Sequence, residues 1–153
     1  MTHGLCPKHF EVSLREIKAD VEKMVKKIRN LRVLIVEDNT RFREQFTSIL
    51  NKRFASIEFH GAGDGKEALQ KVETMHPNLI FMDIGLPGEN GLELTRKIKA
   101  SHPHIVVFIL TNYDFPEYRE RATLCGADYF FSKGSSATEN IFRLIESILP
   151  SPA

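Results

Sequence analysis

The sequence predicts an α/β protein: an open, doubly wound sheet of five parallel strands with helices on both faces, preceded by an N-terminal amphipathic helix. Three observations predict it. Five short apolar runs alternate with five stretches in which apolar residues recur every three or four positions, the signature of parallel strands joined by crossover helices. The strongest of these runs, "HIVVFILT", is continuously apolar, as expected of a parallel strand buried on both faces and placed centrally in its sheet. Pro77, Pro103 and Gly126 close three of the helical stretches.

The elements follow in order. In "HFEVSLREIKADVEKMVKKIRNL" (9–31) the apolar positions Phe10, Leu14, Ile17, Val21, Met24, Ile28 and Leu31 are spaced alternately four and three apart, an a/d heptad. The spacing predicts a helix roughly 33 Å long. It fits either a coiled-coil homodimer or an amphipathic helix packed on its own domain. Residues 1–30 are therefore taken as a helical extension and 31–150 as the globular unit. "RVLIVED" is the first strand, and "NTRFREQFTSILNKRF" is a helix with Phe42, Phe46, Ile49 and Leu50 on its apolar face. "SIEFHGAG" is the second strand, and "DGKEALQKVETMHP" a helix stopped near Pro77. "NLIFMDI" is the third strand, and "NGLELTRKIKASHP" a helix stopped near Pro103, with Asn90 as its cap. After "HIVVFILT", "FPEYRERATLCG" is a helix with Pro116 in its first turn and Gly126 at its end. "ADYFFSK" is the fifth strand, and "SSATENIFRLIESILP" a final helix with Ser135 or Ser136 as cap. No effector domain is expected after it.

Charge and cysteine content exclude several classes. The net charge of +1 gives no global electrostatic case for nucleic acid or membrane as a partner. The balance is uneven: residues 1–32 hold eight Lys/Arg against four Asp/Glu, the remainder thirteen against sixteen. A solvated basic helix face accounts for the first segment. Cys6 and Cys125 form no disulfide framework and no C-x-x-C, so both are expected as free thiols. No apolar run approaches a membrane span and the N-terminus lacks a secretory signal, so the expected location is cytoplasmic.

Ligands of doubly wound sheets bind outside the carboxyl ends of the strands. The first strand ends in Glu37 and Asp38, the third in Asp83, the fourth in Thr111 and the fifth near Lys133. Any one of these is an ordinary solvated strand end. Four strands delivering three acids, a hydroxyl and an ammonium to one edge make a site. Like charges raise one another's pKa, and a hard divalent ion, Mg2+, resolves the crowding. Metal, ammonium and hydroxyl are the parts that hold the oxygens of a transferring phosphoryl group, with a carboxylate as nucleophile. Asp83, held rigidly at its strand end, is the candidate acceptor. In "GLPGENG", Gly85 leaves the roof of the pocket without a side chain, and Pro87 and Gly88 set the turn.

These stretches resemble the receiver domain of two-component response regulators. The acidic pair in "VEDN", the segment "FMDIGLPGENGLEL", the strand "VVFILT" and "GADYFFSK" occur in that family's order and spacing over residues 31 to about 149. The resemblance implies a flavodoxin-like sheet of order 2-1-3-4-5. It implies that Glu37 and Asp38 bind Mg2+, directly or through water. Asp83 is then phosphoacceptor and metal ligand, and the carbonyl of Gly85 a further ligand. Thr111 is the switch hydroxyl, Lys133 the partner of the phosphoryl oxygens and Phe130 the switch aromatic. The phosphodonor is a phosphohistidine on a sensor histidine kinase or phosphotransfer protein. Three positions depart from the family's habit. Asn112 follows the threonine where a small residue is usual, Gly134 follows the lysine where proline is usual, and Phe130 stands where tyrosine is frequent.

The expected role is a phosphorelay step rather than enzymatic turnover of a substrate, apart from the domain's own phosphorylation and slow dephosphorylation, with output by protein–protein contact or dimerisation. Rival readings are a phosphorylation-independent docking module, a haloacid-dehalogenase-like phosphatase and a flavodoxin-like cofactor protein. The phosphatase generally carries a second Asp two residues after the nucleophile, where this chain has Gly85. The cofactor protein needs a Ser/Thr/Gly-rich loop where this chain has "EDNTRFRE". Tyr113, Phe115, Tyr118 and Tyr129 crowd around the fourth helix of the globular unit and suggest a partner surface there. The six histidines show no metal-ligand spacing.

Overall fold

The computed structural model describes residues 31–149. The expected helix over the first 30 residues, its dimer or intramolecular packing, and the boundary at residue 30 lie outside the described residues. The element order matches the sequence expectation: β1 (Arg32–Val36), α1 (Thr40–Arg53), β2 (Glu58–Ala62), α2 (Gly65–Met75), β3 (Leu79–Met82), α3 (Gly91–Ser101), β4 (Val106–Thr111), α4 (Pro116–Leu124), β5 (Tyr129–Ser132) and α5 (Ser135–Ile148).

The strands pair in parallel in the order β2-β1-β3-β4-β5. β4 lies inside the sheet, between β3 and β5, as the order 2-1-3-4-5 expects. Its continuous apolar run has a cause, since strands flank it on both sides and Val107–Thr111 are all buried. Successive side chains point to opposite faces and feed two cores. Leu34, Ile80, Met82, Val107 and Ile109 meet the side chains of α2, α3 and α4, among them Val72, Leu94, Ile98 and Ala122. Val33, Ile35, Phe81, Phe108 and Leu110 meet α1 and α5 through Phe46, Leu50, Ile141 and Ile145. Phe81 anchors this second core: the rings of Phe46 and Phe108 approach it edge-on at 5.0 and 5.3 Å. Such pairs add about 0.5–1.5 kcal/mol beyond their buried area. Ile49, read from spacing as part of the apolar face of α1, is 46% exposed, because α1 turns Phe46 and Leu50 inward and leaves it on the rim.

Side-chain caps set three helix starts. Asn39, Asp64 and Asn90 accept from the backbone N–H groups of Phe42, Glu67 and Leu92. Each such cap contributes about 1 kcal/mol. α4 begins with Pro116 at its first position. α5 departs from expectation. Neither Ser135 nor Ser136 is its cap; Gly134 holds that position, with no side-chain hydrogen bond. The backbone N–H of Lys133 still pairs with the Thr111 carbonyl, at 2.9 Å, so ladder bonding runs one residue past β5 and leaves a single residue for the turn.

Because all five strands run the same way, their carboxyl ends share one edge of the sheet. The polar strand-end residues gather there.

Candidate functional site

Each site residue is placed by the strand before it. Glu37 follows β1 and is anchored by its own N–H, which donates to the Ala62 carbonyl at the end of β2 at 2.9 Å. Its side chain is 3% exposed, and Asp38 beside it is exposed. One Glu37 oxygen accepts from the Asn39 N–H at 3.0 Å and the other from the Lys133 ammonium. Asp83 follows β3, with its N–H on the Val36 carbonyl at 3.0 Å, and is 7% exposed. Its Oδ2 lies 3.5 Å from Lys133 Nζ, and its Oδ1 is buried with no hydrogen-bond partner. Glu37, Asp38 and Asp83 each offer one carboxylate oxygen, and these oxygens lie within 4.8 Å of one another.

The electrostatics follow from this geometry. Burial pushes the Glu37 carboxyl above the usual carboxylate range, against the pull of the Lys133 hydrogen bond, and the nearby Asp83 charge pushes it the same way. One lysine is shared between two buried acids, and a third acid stands alongside. An all-oxygen donor set of this charge, with an unpartnered buried oxygen, suits a hard divalent cation rather than a soft one.

The rest of the hollow is built by close packing. Thr111 ends β4 fully buried, and its hydroxyl accepts from the Tyr113 N–H at 3.3 Å. Phe130 is half-buried on β5 with the Arg119 guanidinium 4.7 Å from its ring centre. Arg119 in turn donates to Asp114, at 2.6 Å, and Asp114 also accepts from the Ser132 hydroxyl. These two bonds hold the Asp114 carboxyl down at about 2. Gly91 opens α3 where a Cβ would stand 1.9 Å from the Asp83 carbonyl oxygen, so only glycine lets the helix start this close to the acid.

The structure thus brings Glu37, Asp38, Asp83, Thr111 and Lys133 together at one edge, as the sequence reading expected. Phe130 lies on the opposite face of β5 from Phe131, packed against the first core. Gly85 has the Tyr113 ring beside it. A Cβ there would meet the ring at 3.0 Å, so the missing side chain leaves room for Tyr113. Phe42 was read only as helix core, but its ring lies 4.4 Å from Lys133 Nζ and forms a wall of the ammonium's pocket. Nothing in the local pattern around Phe42 signals this, because Lys133 is far away in sequence.

Comparison with known proteins decides the family. The family model of the response regulator receiver domain matches residues 33–146. The chain belongs to this family. Among curated relatives, this receiver domain is 33% identical over 112 residues to the response regulator GacA of Pseudomonas viridiflava, covering 72% of this chain and 52% of GacA. It is 34% identical over 120 residues to the oxygen regulatory protein NreC of Staphylococcus carnosus, covering 74% and 55%. The chain therefore spans about half the length of these relatives. A CheY-like receiver domain protein from Methanospirillum hungatei JF-1 superposes with a TM-score of 0.69 at 29% identity, over 78% of this chain and 96% of that one. The response regulator TrrA of Thermotoga maritima, solved in complex with Mg2+ and BeF, superposes with a TM-score of 0.68 at 28% identity, over 78% and 99%. The receiver domain is a module of phosphorelay signalling in two-component systems, a regulator rather than an enzyme with a turned-over substrate. That membership sets aside the phosphatase reading. Among the described residues no helix is long and apolar enough to cross a membrane.

Proposed function

We propose that this receiver domain accepts a phosphoryl group on Asp83 from a phosphohistidine of a sensor histidine kinase or phosphotransfer protein. The carrying observation is the buried, unpartnered Oδ1 of Asp83 inside a ring of two further acids, Glu37 and Asp38, with Lys133 on its other oxygen. The Thermotoga relative, captured with Mg2+ and BeF, supports Mg2+ as the ion. Glu37, Asp38, Asp83 and the Gly85 carbonyl are the groups to hold it. When bound, Mg2+ neutralises charge on the transferring oxygens.

The chain's own residues do the rest. β3 holds the Asp83 main chain in place, so a carboxylate oxygen can face the donor as nucleophile. The donor's P–N bond breaks as the Asp83 O–P bond forms, and the imidazole leaves with its electron pair and takes up a proton. Lys133 turns from the carboxylates to the new phosphoryl oxygens, a charge-for-charge exchange within the same pocket. Thr111 gives up its bond from the Tyr113 N–H and donates its hydroxyl to the phosphoryl group. That move draws in the Tyr113–Phe115 segment and frees room on the side where Phe130 packs under Arg119, which shifts a two-state surface around α4. Tyr113 and Phe115, 47% and 51% exposed, make that surface apolar enough for a protein partner. The receiver unit is taken as residues 31–150 with a helical extension over 1–30, and its expected location is cytoplasmic.

The test is intact mass after incubation with acetyl phosphate and Mg2+. The parent gains one phosphoryl group and Asp83→Asn gains none. Equal labelling of both proteins would sink the assignment. A beryllofluoride-binding control covers an adduct that hydrolyses before measurement.

A further inference from the structure

The acids of the hollow depend on a short loop, residues 37–39, that leaves the sheet before α1 begins. The Glu37 N–H is tied to β2, and its carbonyl is bonded separately. That carbonyl accepts from Arg43 Nη1 at 2.5 Å. Arg43 comes from α1, and its side chain crosses the end of β2 to reach the loop. Gly61 gives the arginine its room, and Gly63 lies beside the guanidinium. A Cβ on Gly61 would lie 2.9 Å from Arg43 Cδ and 3.0 Å from Nε, and one on Gly63 3.6 Å from Nη1. Among the described residues Arg43 has no ion-pair partner and donates no other side-chain hydrogen bond, although it is only half exposed. An arginine whose side-chain hydrogen bond goes to this one carbonyl, laid against a glycine where a Cβ would crowd it, is a built contact.

We infer that Arg43 is a positioning residue for the cation site: it clamps the main chain of Glu37 so that the Glu37 and Asp38 carboxylates hold their place opposite Asp83, and Gly61 exists to let it pass. This rests on the cation reading of the hollow given above. The clamp acts through the ligand-bearing backbone, not by touching the ion. It is therefore an outer-shell contact, of the kind whose loss weakens metal binding about 10–100-fold. A neighbour separates this role from general support of the strand end. Lys71 donates to the Gly61 carbonyl and secures the same end of β2 without touching the acidic loop.

The test is Mn2+ affinity by electron paramagnetic resonance, with the thermal midpoint of the metal-free protein beside it. Arg43→Met is expected to bind Mn2+ about tenfold or more weakly, with Arg43→Lys recovering part of the loss. Gly61→Ala keeps the arginine but crowds it at Cδ and Nε, and is expected to weaken binding in the parent and to add nothing in Arg43→Met. Lys71→Met is expected to lower the thermal midpoint and leave Mn2+ affinity within about twofold, since it touches no group of the hollow. Parent-like affinity in Arg43→Met overturns the inference, as does an equal loss in Lys71→Met or an unchanged Gly61→Ala penalty in the Arg43→Met background. A parent that binds no Mn2+ overturns the cation reading itself, and the clamp with it. Should Arg43→Met fail to fold, Arg43→Lys and Gly61→Ala decide the matter by the same measurements.

Discussion

Asp83 and Glu37 are both buried acids, yet their situations differ. Glu37 has both oxygens hydrogen-bonded, whereas Asp83 keeps one buried oxygen with no partner. Leaving a buried acceptor unmade costs about 1–3 kcal/mol, and more for a charged group, so under the proposed function the orphan oxygen is where an ion or a covalent bond would be accommodated. The raised Glu37 carboxyl makes a signed prediction. A cation needs the carboxylate, so Mn2+ affinity is expected to fall as pH drops through a midpoint above the ordinary carboxylate range. Binding titrations at a series of pH values check it, and an affinity flat down to the usual carboxylate range would contradict it. Asp114 shifts the other way, to about 2, held by Arg119 and then Ser132. Its folded value lies below the ordinary ~3.9, so its contribution to stability is present above about pH 4 and is lost as pH falls toward 2. Carboxyl NMR titration is expected to place Asp114 near 2 in the parent and closer to the ordinary value in Arg119→Gln.

At the scale of elements, the tightest constraint is the start of α3. Gly91→Ala would drive a Cβ into the Asp83 carbonyl, and neither partner can turn aside because both are backbone. Urea unfolding is expected to show a loss of about 2 kcal/mol or more, from forced backbone displacement; a loss under about 0.5 kcal/mol would mean that α3 shifts freely. Phe81→Ala removes the ring between Phe46 and Phe108 and is expected to cost about 3–5 kcal/mol.

Elements were also the level best read from sequence. β4 and β3 are buried on both faces, so their apolar runs are continuous, and each site residue is the first strong polar group after such a run. Strand direction then brings Glu37, Asp38, Asp83, Thr111 and Lys133 together without any knowledge of distances. What stayed hidden depends on contacts across the fold. Lys133 and Glu37 are 96 positions apart. The Tyr113 ring over Gly85, the Phe42 ring by Lys133 and the Arg43 arm over Gly61 are products of packing between elements that a local pattern does not encode. The α5 cap was missed for a related reason: ladder bonding that runs on to Lys133 pushes the turn onto Gly134, and sequence spacing shows two equally good serines just beyond.

For the whole molecule, the hollow is a liability until its charge is balanced. Glu37 and Asp83 share one lysine while Asp38 stands beside them unpaired among the described residues, and removing a charge should relieve the fold even as it harms the site. Asp38→Asn is expected to raise the thermal midpoint of the metal-free protein while greatly reducing the shift produced by Mg2+. In the parent, Mg2+ at 100 times its dissociation constant is expected to stabilise by about 2.7 kcal/mol. Calorimetric scans with Mg2+ and with a chelator check both statements. A parent whose midpoint ignores Mg2+ would remove the cation from the account.

The most direct test of the central claim is a crystal grown with Mn2+ and beryllofluoride, with data collected for anomalous scattering by manganese. The account predicts one strong anomalous peak about 2.0–2.3 Å from carboxylate oxygens of Asp38 and Asp83, with a tetrahedral BeF group joined to Asp83 and Lys133 turned toward its fluorines. A peak elsewhere on the molecule, or a BeF group bound away from Asp83, would contradict it.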